Sequence, residues 1–182
     1  MFNVLRHRIP DKRNIVTVFA VAMFLVCTWT LYTSFWKLPS WLFFLQVGEI
    51  VSIYAYAFVV NFLESVLLLF IALVPAFFLP RRWWTEAFIP KGFALILIVL
   101  GSALLHISLY RTPDTRAIFI NSQFIWWIVT VLIAVLLTWL AGRIPWIRSG
   151  LESLADRFII FLYIYLPFTA IGLLIVLARI FL

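Results

Sequence analysis

IVSIYAYAFVVNFLESVLLLFIALVPAFFL, residues 50–79, is an apolar run with one charged side chain, Glu64, at its midpoint. A helix of this length rises about 45 Å, enough to cross the roughly 30 Å hydrocarbon core of a bilayer with a tilt. An ionised carboxylate there costs on the order of 2.5 to 3.5 kcal/mol even on the lenient insertion scale. The 18 Leu, Ile, Val and Phe residues between Val51 and Leu79 contribute roughly 0.3 to 0.6 kcal/mol each near the centre, so insertion tolerates Glu64. Glu64 is therefore expected to face protein, water or a partner cation.

The rest of the chain belongs to the same solvent. Hydrophobic residues make up 66% of 182 and charged residues 12%, too little polar surface to cover a water-soluble domain of that size. Five spans follow: Ile15–Trp36, Ile50–Leu79, Phe93–Tyr110, Phe119–Leu140 and Phe158–Ile180. The expected class is an all-α, polytopic integral membrane bundle, with 1–182 forming one transmembrane domain. The second span is long enough to tilt strongly, or to begin as an interfacial segment around Trp41 to Val47 that turns in at Gly48 and Glu49. A fold-back of Trp41–Leu79 would add a sixth span, but no Pro or Gly lies between Gly48 and Pro75 to turn it. Pro75 and Pro167 lie within spans, where each removes an N–H donor.

Charge placement sets the expected orientation. Arg6, Arg8, Lys12, Arg13, Arg81, Arg82, Lys91, Arg143, Arg148 and Arg157 fall on one side, and Lys37, Arg111, Arg116 and Arg179 on the other. The positive-inside rule puts the N-terminus in the cytoplasm. The first span, long and preceded by basic residues, reads as an uncleaved signal anchor suited to a bacterial inner membrane. The net charge of +7 flanks apolar runs, so it points to anionic lipid headgroups and not to nucleic acid.

Two boundary segments have interfacial character. Arg81-Arg82-Trp83-Trp84 joins a basic pair to two indoles, and the loop from Arg143 through Arg148 to Arg157 carries Ile147, Leu151, Leu154 and Phe158 at helical spacing behind a Ser149-x-x-Glu152 capping box. Residues 147–157 are expected to form an amphipathic turn of helix running into the fifth span. These segments are read as lipid contacts, with partner docking as the alternative.

Inside the membrane, Tyr54, Ala57, Asn61, Glu64, Leu68, Ile71 and Pro75 follow a 3,4 pattern and form one stripe. Gly101-Ser102-Ala103 on the third span offers a small surface on which another helix could pack. Facing these surfaces together would put Asn61 and Glu64 near His106, a candidate intramembrane polar site in which a Glu/His pair could share a proton. The competing reading is that Glu64 is protonated and hydrogen-bonded between helices as structural glue.

No H-E-x-x-H, C-x-x-C, G-x-S-x-G or P-loop is present, so no catalytic residue is identified and neither metal nor cofactor is expected. The function read from these features is a non-enzymatic accessory or structural subunit of a larger membrane assembly, partnered by another membrane protein or by its own copy. The alternatives are a small carrier, channel subunit or proton-coupled transporter using Glu64 and Asn61, and a lipid-modifying enzyme using Glu86, Glu152 and Asp156 at a headgroup surface.

Overall fold

A computed structural model describes residues 10–109 and 113–181, without the side chains of residues 82 and 113–122. Among the described residues, five helices are long and apolar enough to cross a membrane. They are α1 (Lys12–Phe44), α2 (Val47–Phe78), α3 (Phe88–Leu109), α4 (Pro113–Arg143) and α5 (Pro145–Phe181). Single helical turns at Arg81–Trp84 and Thr85–Ala87 join α2 to α3.

The helices are longer than the apolar runs because their ends are set by local chemistry. α1 continues through Pro39 to Phe44, so the expected interfacial segment at 41–47 belongs mostly to α1. The chain turns at Leu45 and Gln46, one turn ahead of Gly48. Glu49 fixes that turn by reaching back to accept the Gln46 N–H at 2.9 Å, the reciprocal half of a capping box. α2 then runs unbroken to Phe78, which rules out a fold-back within it.

At the other end of the bundle sequence, α4 and α5 each begin on a proline, Pro113 and Pro145. Proline is favoured there because its missing N–H is one that a first helical turn leaves unpaired anyway. The helical segment 147–157 does run straight into the fifth span. Its start is set by Pro145, however, with Arg148 N–H bonded to Ile144 O at 3.0 Å. Ser149 and Glu152 thus fall inside the helix and form no capping box; Glu152 pairs instead with Arg148, one turn earlier, at 2.9 Å.

The chain divides into two compact units. The first contains α1, α2 as far as Ile71, and α5 from Ala155. Its core is Ala20, Met23, Cys27, Leu162 and Tyr165, surrounded by phenylalanines. Phe24 stacks on Phe158 with centroids 4.1 Å apart, Phe19 meets Phe62 edge-on at 5.8 Å, and Phe58 stacks on Phe168 at 5.5 Å. Such ring pairs contribute about 0.5 to 1.5 kcal/mol each beyond area burial, a useful source of specificity where lipid is as apolar as the side chains. α2 lies antiparallel to α5: Phe58 meets Phe168, and Ala55, one turn earlier, meets Gly172, one turn later.

The second unit contains Ala72–Leu154: the end of α2, the connecting turns, α3, α4 and the start of α5. Its α3/α4 pair is antiparallel along its length. As the contacting residue on α3 advances from Lys91 to Ser102 to His106, its neighbour on α4 retreats from Gly142 to Thr130 to Trp126. Within this unit buried Trp84 gives its Nε1–H to Ala72 O at 3.1 Å, one residue beyond the Ile71 carbonyl that Pro75 leaves without its helical donor.

Glycine has different work at two positions. A Cβ on Gly172 would lie 2.9 Å from Ala55 O and 3.3 Å from Ala55 Cα, whereas one on Gly101 meets nothing within 4 Å. Gly172→Ala is therefore expected to cost about 1 to 3 kcal/mol by forcing α2 and α5 apart. Gly101→Ala is expected to be neutral or to stabilise by up to about 1 kcal/mol through helix propensity. Equilibrium unfolding in mixed micelles compares the two; equal effects would count against the close α2/α5 contact.

Candidate functional site

The buried stripe of α2 differs from the polar stripe expected from sequence. Ala55, Asn61, Ser65, Leu68, Ala72 and Ala76 are buried, while Glu64 and Ile71 are exposed. Asn61 and Leu68 are common to both readings. The difference has a packing cause: Ala and Ser turn inward because short side chains let neighbouring backbones approach, and each residue of rotation moves a face by about 100°.

Asn61 is bound into the first unit on several sides. Its Oδ1 accepts from Thr30 Oγ1 at 2.9 Å, its Nδ2 donates to Cys27 Sγ at 3.8 Å, and its backbone carbonyl accepts from Ser65 Oγ at 2.7 Å. It therefore ties α2 to α1, and at 4% exposure it offers almost no surface to a ligand. Glu64, one turn on, is exposed and has no hydrogen bond or ion pair among the described residues. On its face lie exposed Val60, Leu67 and Ile71.

His106 belongs to the second unit, and Asn61 and Glu64 to the first. Its imidazole lies 5.6 Å from the Trp126 ring, beside a chain in which Trp126 Nε1 donates to Ser102 Oγ at 3.0 Å and Ser102 lies 2.9 Å from Thr130 Oγ1. The Gly101-Ser102-Ala103 surface thus presents Ser102 to α4, where it serves as a polar fastener between α3 and α4. Most other hydroxyls in the spans satisfy themselves within their own helix: Thr17, Thr138 and Thr169 donate to carbonyls one turn back, at 2.9, 2.6 and 2.8 Å. A groove on α4, lined by Phe124, Trp127, Ile128, Val131 and Leu132, is wholly apolar.

The basic boundary segments are more closely organised. Arg81 and Trp83 are exposed, and the side chain of Arg82 lies outside the described residues. Trp84 turns inward, only 6% exposed, so the two indoles of this pair have different roles. Arg143 sits over the Trp139 ring at 4.8 Å. Arg148 holds Glu152 through Nε and reaches Glu86 O through Nη2 at 3.4 Å. Lys91, absent from the candidates chosen by sequence, donates through Nζ to Trp83 O and passes over Gly142. Its direction was available in principle, because helical side chains lean toward the N-terminus and a lysine near a span end reaches back to the interface.

Among the described residues, no three His, Cys, Asp or Glu side chains come together to hold a metal. No known protein family, curated protein or solved structure matches this chain.

The Asn61 contacts make a quantitative prediction. A double-mutant cycle of Asn61→Leu and Thr30→Val is expected to show coupling of about 0.6 to 1.7 kcal/mol, the range of interhelical hydrogen bonds in membranes. Glu64→Gln should change stability of the isolated protein by less than about 0.5 kcal/mol, as expected of a surface substitution. A large loss from Glu64→Gln would mean that Glu64 is internal glue.

Proposed function

We propose that this protein is a small, non-enzymatic subunit of a larger membrane assembly, and that the α2 face around Glu64 is where it meets a partner. The observation carrying this reading is the division of labour between neighbours: Asn61 is buried and bonded to α1, and Glu64 is presented outward among Val60, Leu67 and Ile71. A carboxyl group in mid-membrane is costly against lipid, and the cost falls when a donor or cation on another chain covers it. A surface of this kind suits an interface better than a stable lipid-facing wall.

The transporter reading needs Asn61 and Glu64 to line a shared cavity, and their opposite exposures favour it less. The lipid-enzyme reading needs a free acid or base at the boundary, whereas Glu152 is paired with Arg148. The distribution of basic residues supports a cytoplasmic N-terminus and a bacterial inner membrane as the setting.

Photocrosslinkers at Leu67 and, as a control, at Leu174 on α5 test the proposal in intact cells. The expected result is one discrete protein adduct from Leu67, absent from Leu174 and reduced at least about tenfold by Glu64→Leu, equivalent to about 1.4 kcal/mol of lost association. Lipid adducts alone at Leu67, from a protein that purifies as a monomer in mild detergent, would overturn it. Reporter fusions check orientation: a cytoplasmic reporter should be active at the N-terminus and inactive at the C-terminus, since five crossings put the ends on opposite sides.

A further inference from the structure

Two stretches distant in sequence meet at one end of the second unit: the connecting turns with the start of α3, and the end of α4 with the start of α5. They bring Arg81, Lys91, Arg143 and Arg148 to this boundary, with Glu86 and Glu152 as the acidic groups among them. Lys91 bonds a neutral carbonyl, that of Trp83, and its charge is met only in part by the nearby Glu86 carboxylate, which bears on it together with Arg148. Arg148 divides its donors between one carboxylate and one carbonyl, leaving further N–H groups unassigned. Lys91 and Arg148 are close enough for their charges to act on each other. Holding two cations together is unfavourable by itself, and an anion between them removes the penalty.

The surroundings indicate which anion. Trp83 and Trp146 are 68% and 85% exposed at this boundary, each two residues from a cation of the cluster. Indoles placed this way suit the headgroup layer, with acyl chains alongside the apolar helix surfaces that begin here. Gly142 adds a steric condition, since a Cβ there would meet Lys91 Cε and Nζ. Glycine at this position leaves room for the lysine to cross α4.

We propose that Lys91 and Arg148, flanked by Arg81 and Arg143, form a binding site for the phosphate of an anionic phospholipid. This site is independent of any partner at the Glu64 face. The surplus of cations selects anionic over zwitterionic lipid, and the exposed indoles select lipid over a free phosphate ion. Lys91 and Arg148 hold the phosphate, and the bare backbone at Gly142 leaves Lys91 room to reach it.

The test uses full-length, delipidated protein in detergent, titrated with phosphatidylglycerol, phosphatidylcholine and inorganic phosphate, with bound lipid counted by native mass spectrometry. Phosphatidylglycerol should bind at least about tenfold more tightly than phosphatidylcholine and weaken as salt rises. At about 1 kcal/mol per cation, Lys91→Gln or Arg148→Gln should each weaken it roughly fivefold, with Arg179→Gln as the unaffected control. Gly142→Leu should lower the preference without changing any charge. Equal binding of the two lipids by the wild-type protein would overturn the proposal, whatever the variants do. Full displacement of phosphatidylglycerol by millimolar phosphate would reassign the site to a soluble anion, and unchanged affinity in both glutamine variants would remove Lys91 and Arg148 from it.

Discussion

A hydrocarbon solvent offers no hydrogen bonds, and that constraint shapes nearly every contact in this protein. Backbone groups must find partners within the chain, so the apolar runs become continuous helices and the hydroxyls of Thr17, Thr138 and Thr169 turn back onto their own helices. The same constraint accounts for the work of Trp84. Buried away from water, the Trp84 indole N–H finds its acceptor in the backbone, at Ala72 O.

With backbone bonds internal, helix association depends on shape. The first unit interlocks phenylalanines from α1, α2 and α5 and allows one very close backbone approach at Gly172 and Ala55. The second fastens α3 to α4 with a short polar chain through Trp126, Ser102 and Thr130. Both solutions fit a setting where transfer from lipid to protein interior yields little and complementarity must supply the rest.

Charges follow the same economy. The cations gather where water and headgroups are within reach, and Lys91 and Arg148 fold back onto carbonyls of the connecting turns. Glu64 stands apart from this pattern, exposed on α2 with no internal partner among the described residues. Its placement, next to a buried Asn61 bonded to α1, gives the two polar residues of one helical turn separate structural roles.

Sequence alone determined the solvent, the five helices and their approximate centres, because run length and composition are set by bilayer thickness whatever the packing. It also located Asn61 and Glu64 in mid-span and the basic clusters at helix ends. Pro145 carried a start signal for α5 that outweighed the Ser149-x-x-Glu152 pattern, since a proline at the first helical position costs no hydrogen bond. Tertiary structure decided which side of each helix is inside. Periodicity groups residues into faces, but the face that packs is chosen by the fit of small and aromatic side chains on other helices, and that fit turned Ser65 and Ala72 inward and Glu64 outward. Only the folded chain could bring Lys91 to Gly142 and Arg148 to Glu86, because those meetings depend on how α3, α4 and α5 pack and not on any local pattern of residues.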